Sequence, residues 1–210
     1  MDEFSYIFEL FALLLGLAVA EMLNGFGHVL KLRARRKAGI DEAAINVRVG
    51  WLVPLLGLLV LVDLATFWSL LWVARTGLEM NMLTVFCVLA LIGGYYLVAT
   101  QVFPDDPQRW PDFDQYYRQQ KRFVVLGVFI INALSQGLVA ALGTMPQVKP
   151  EELAAHPAML VAGLLLLLNM PAFLWLAFSR RERVDVALIA FIVLTQFFYA
   201  WAALGIEGLE

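Results

Sequence analysis

Glu21 and Asp63 each stand deep inside a long apolar run, with no Lys or Arg at comparable depth to pair with them. Desolvation disfavours the charged form of such a group, so it either collects neutral hydrogen-bond donors or binds and releases a proton or small cation. Asn24 and His28 follow Glu21 at i+3 and i+7, which puts all three side chains on one helical face. Asp63 shares a face with Thr66, Asn132 shares one with Ser135 and Gln136, Asn169 precedes Pro171, and Thr195, Gln196 and Tyr199 cluster near the C-terminus. Together Glu21, Asn24, His28, Asp63, Thr66, Asn132, Ser135, Gln136, Asn169, Gln196 and Tyr199 form the candidate substrate- or ion-binding set. These faces are expected to turn inward, because a carboxylate left in lipid near the bilayer centre costs at least about 2.5–3.5 kcal/mol. The Asn, Ser, Thr and Gln residues read first as hydrogen-bonding links between helices. The two carboxylates read as functional, Glu21 ahead of Asp63, because Asn24 and His28 extend its face toward a basic segment.

Other chemistries lack their residues. His28 and His156 sit at opposite ends of the apolar runs, so they do not form a haem-ligating pair. The single cysteine, Cys87, builds neither a disulfide nor a thiolate cluster. Glu21, His28 and Asp63 make a weak metal set, since the first two are two helical turns apart. Neither a Walker loop, a dinucleotide fingerprint nor an intramembrane Ser-His pair is present, and no cofactor, catalytic residue or nucleic-acid partner is expected.

The elements that must carry these residues follow from composition. Of 210 residues, 61% are apolar and 16% charged, against about 25% charged in an average globular chain. Six runs reach the ~20 residues needed to cross ~30 Å of hydrocarbon: Phe8–Leu30, Trp51–Ala74, Met82–Phe103, Phe123–Thr144, Pro157–Phe178 and Val186–Leu204. Backbone groups in lipid must be satisfied within the segment, so the spacing predicts helices and an all-α integral membrane protein with one transmembrane domain over 1–210. No basic residue precedes the first run, so it is expected to remain as a span instead of being cleaved as a signal.

Thirteen of the fifteen Lys and Arg residues fall in the first, third and fifth connections, 31–50, 104–122 and 179–185. By the positive-inside rule these are cytoplasmic, both termini lie outside, and the host membrane is expected to be a bacterial inner membrane. The 31–50 stretch reads first as this orientation signal, although a site for anionic lipid or nucleic acid would look similar. In the third connection Trp110, Phe113 and Tyr117 recur at helical spacing, with Arg118, Lys121 and Arg122 behind them. That pattern predicts a short helix in the headgroup layer, aromatic face down and cations near anionic lipid.

Matched spacings of glycine and polar residues in the two halves, Gly16 to Glu21 with Gly127 to Asn132 and Gly57 to Asp63 with Gly163 to Asn169, raise an inverted duplication of 1–103 and 104–210. It predicts Glu21 near Asn132 and Asp63 near Asn169. The function expected first is a small transporter or channel moving protons, an ion or a small polar solute. The alternative is a membrane subunit or regulator without transport of its own, and the third is an integral membrane enzyme acting on a lipid. A homo-oligomer or another membrane-protein partner is expected for so small a bundle. A dry core or an outward-facing carboxylate would favour the subunit reading over the transporter.

Overall fold

The computed structural model describes residues 3–39, 47–74, 82–106, 110–143 and 157–207. They form six helices: α1 Glu3–Ala38, α2 Leu52–Ala74, α3 Met82–Thr100, α4 Phe113–Ala141, α5 Pro157–Phe178 and α6 Glu182–Glu207. All six contain a stretch long and apolar enough to cross a membrane. No strand occurs among the described residues, only an isolated bridge between Arg48 and Asp112. The chain is an all-helical, polytopic, integral membrane protein.

Three helices run past the apolar limits into the basic end. α1 continues to Ala38, α4 begins at Phe113 and α6 at Glu182. Arg, Lys, Gln and Glu are good helix formers, so leaving the hydrocarbon does not end the helix. α1 is therefore about 54 Å long at 1.5 Å per residue, well beyond a hydrocarbon core. It stops at Gly39, whose φ of +65° is the left-handed turn that glycine adopts without steric cost.

The predicted headgroup helix is corrected by this geometry. Phe113 and Tyr117 open α4 itself, capped by the Asp112 side chain accepting from the Asp114 amide at 2.9 Å, and both are buried. Trp110 is half-buried with its ring 5.1 Å from Tyr116, and Lys121 is 5% exposed. Only Arg118 and Arg122 of that group are exposed. An amphipathic pattern cannot distinguish an apolar face laid on lipid from one packed on neighbouring helices.

α2 is the central helix: half of its apolar span is buried, against 28–33% in the other five. It packs on α1, α3, α4 and α6, while α5 packs on α4 and α6. The two halves are not packed alike. α1 lies chiefly on α3, whereas the equivalent helix of the second half, α4, packs on α2, α3 and α5, and α6 lies chiefly on α5. The pairs expected from duplication are not formed either, since Asp63 meets Asn132 and Asn169 meets Thr195.

Close approach at the core depends on Gly25 and Gly57. The Phe103 ring occupies the space that a Cβ at Gly25 would take and crowds Gly57, so this residue beyond α3 wedges between α1 and α2. Phe26 closes on the same ring at 5.1 Å.

The described parts of the three basic connections lie at one end and are tied together. Arg48 N donates to Pro111 O at 2.7 Å, Phe113 N to Arg48 O at 3.1 Å, and the Tyr116 hydroxyl to Gln101 O and Phe103 O at 3.0 and 3.2 Å. Lys121 Nζ donates to Asp185 Oδ2 at 2.8 Å and Ser179 O at 2.7 Å, with the Tyr117 hydroxyl 3.1 Å from the same carboxylate oxygen. Arg118 and Glu182 form an exposed ion pair at 2.8 Å.

Candidate functional site

The polar centre of the bundle is Asp63, midway along α2 and 1% exposed. Three other helices supply its partners. Tyr95 of α3 donates its hydroxyl to Oδ2. Asn132 Nδ2 of α4 lies 3.0 and 2.9 Å from the two carboxylate oxygens, and Gln196 Nε2 of α6 donates to Oδ1 at 3.2 Å. Asn132 Nδ2 also reaches Val128 O at 3.1 Å and the Tyr95 oxygen at 3.4 Å, so two amide hydrogens serve four acceptors. Every donor to Asp63 is neutral. Gln196 Oε1, in the same cluster, has no partner among the described residues.

Apolar groups seal this cluster. Phe67, one turn along α2, lays its ring 4.7 Å from that of Tyr95, and both rings are essentially unexposed. The arrangement can do two things chemically: lock four helices together through one carboxylate, or hold an additional proton or small cation between Asp63 and Gln196. A metal centre has no support, because no group of three or more His, Cys, Asp or Glu side chains converges among the described residues.

A second link stands beside it. The Thr195 hydroxyl lies 2.8 Å from both Asn169 Oδ1 and Ile192 O, joining α5 to α6 next to Gln196. α5 continues through Pro171 without ending.

The structure thus brings Asp63, Asn132 and Gln196 together and places Asn169 nearby on α5 with Thr195. Thr66 and Ser135 turn back onto their own helices, bonding Asp63 O at 2.8 Å and Ile131 O at 2.7 Å. Gln136 is exposed and Tyr199 is half-buried one turn beyond Gln196.

Glu21, Asn24 and His28 do not join the centre, contrary to the expectation that their face turns inward. Glu21 is half-buried, Asn24 and His28 are exposed, and none of the three has a polar partner among the described residues. α1 buries Phe11, Leu15, Ala18, Met22 and Val29 instead.

Two functional residues escape a reading by polarity. Tyr95, which is not among the residues singled out from the sequence, is the donor that meets Asp63; a hydroxyl at mid-depth needs a partner, and that is the signal a sequence reading can use. Asp185 was counted within a connection, yet it is the buried partner of Lys121. No family model, curated protein or solved structure matches this chain, so its function rests on this geometry.

Proposed function

We propose that this protein is a membrane-embedded subunit that works within an assembly, with α1 as its docking helix. The observation that carries this reading is the polar outer face of a spanning helix: Glu21 half-buried, Asn24 and His28 exposed, all three without polar partners among the described residues. Ala20, also exposed, lies one turn before Asn24, so a second helix can approach closely there. Left in lipid, a charged Glu21 costs about 2.5–3.5 kcal/mol, and a partner helix that hydrogen-bonds to it and to Asn24 removes that penalty. The burial of Asp63 supports the same reading, because its carboxylate already serves as a hub joining four helices.

The test is the size of the particle extracted directly from the native membrane into polymer-bounded discs. The expected particle exceeds one 23.5 kDa chain, and Glu21→Leu with Asn24→Leu releases a folded monomer. A wild-type particle of one chain sinks the proposal.

A second reading is transport of a proton or small cation through Asp63. It is favoured by the absence, among the described residues, of any cationic donor to that carboxylate and of any partner for Gln196 Oε1. Liposomes carrying the purified protein under an imposed pH gradient test it. Flux that Asp63→Asn abolishes would replace the subunit reading by a carrier, and a silent wild type would remove it.

A further inference from the structure

At the basic end, a cleft of about 500 Å³ opens between the last turns of α1 and the segment leading into α2, lined by Arg33, Arg36, Lys37, Val49 and Trp51. Two of its three cations are held in place by backbone oxygens, one of them also by an aromatic ring. Arg33 Nη2 donates to Gly50 O at 3.1 Å while its guanidinium lies 4.1 Å over the Trp51 ring, and Arg36 Nη1 reaches Val47 O at 3.4 Å. Among the described residues neither guanidinium has a carboxylate partner, so each keeps its charge and further N–H donors.

We propose that this cleft binds the phosphate of an anionic phospholipid headgroup. Guanidinium groups match phosphate oxygens by paired, charge-assisted hydrogen bonds, and Lys37 adds a third positive charge. A lipid, not a free anion, is indicated by the surface just below. Leu30, one turn before Arg33 and two before Lys37 on α1, is 65% exposed, and Trp51 is 69% exposed at the start of α2. Acyl chains fit along that apolar flank while the headgroup meets the cations, and the indole marks the interfacial level.

The experiment uses the full chain in a neutral detergent, titrated with short-chain phosphatidylglycerol, short-chain phosphatidylcholine or inorganic phosphate and read by native mass spectrometry of retained ligand. Phosphatidylglycerol is expected to bind at least about tenfold tighter than phosphatidylcholine, with inorganic phosphate displacing it only at far higher concentration. Arg33→Gln with Arg36→Gln should lose that preference. Arg180→Gln with Arg183→Gln, which removes two exposed cations from the same end, should retain it. Arg33→Lys keeps the charge and the topology signal but loses the fork over Trp51, so it should weaken binding several-fold. Equal losses in both double variants would reduce the effect to general surface charge and overturn the site. Equal affinity for inorganic phosphate would assign the cleft to a free anion, and equal affinity for phosphatidylcholine would remove the role of the cations.

Discussion

Replacing Lys121 by Met should be among the most destabilising single changes in this bundle. The Lys121 and Asp185 side chains are 6% and 3% exposed, so water does not screen their 2.8 Å pair. Without the ammonium, Asp185 keeps, among the described residues, only the Tyr117 hydroxyl on Oδ2, and its Oδ1 already lacks a partner there. Removing one member of a buried pair costs about 3–5 kcal/mol, because the other charge stays buried and uncompensated. Ser179 O loses its 2.7 Å donor as well. Replacing both members, Lys121→Met with Asp185→Leu, removes the stranded charge and should return to within about 1 kcal/mol of the natural chain. Arg118→Gln breaks a pair of the same length between the same two helices, but its side chains are 52% and 54% exposed, and it should cost less than about 1 kcal/mol. Reversible unfolding in mixed micelles, comparing midpoints at unchanged slope, measures all of these. The reasoning fails if Lys121→Met costs no more than Arg118→Gln, or if the double variant is as unstable as the sum of its singles.

Tyr95→Phe should cost about 1–3 kcal/mol in the same assay, the usual range for leaving a buried acceptor short of its donor; no loss would mean that Asn132 and Gln196 satisfy Asp63 by themselves. Gly25→Val should destabilise by about 1–3 kcal/mol by colliding with Phe103, and Phe103→Ala in that background should cost less than it does alone. For orientation, single cysteines at Ala34 and Gln119, with Cys87 replaced by Ser, should resist a membrane-impermeant thiol reagent in intact cells, whereas one at Gln147 reacts. The reverse pattern would invert the topology.

Span membership was legible because hydropathy over about twenty residues outweighs local detail, and the six helices fall on the six apolar runs. Helix ends were less so. The residues 31–38 and 113–122 are polar enough to look like connections, yet their helix propensity and packing at the basic end carry α1 and α4 through them. Within the site, Asp63, Asn132 and Gln196 stood out because each is polar at mid-depth. Tyr95 did not, since an aromatic ring in a membrane span is unremarkable until its hydroxyl is seen to face a carboxylate. Glu21 was ranked first from the polar residues following it on one face. Periodicity says which residues share a face, but whether that face meets the bundle or its surroundings depends on how α1 rolls against α2 and α3. The matched glycine spacings carry little weight by themselves for a related reason, because glycines recur wherever helices pack closely, as Gly25 and Gly57 do around Phe103.

The docking role of α1 is tested most directly by a photoactivatable side chain placed in turn at Ala20, Asn24 and His28 in native membranes, with Leu167 of α5, 71% exposed, as the lipid-facing reference. Discrete protein adducts are expected from the three α1 positions and lipid adducts alone from Leu167. Lipid adducts alone from all four positions would contradict it.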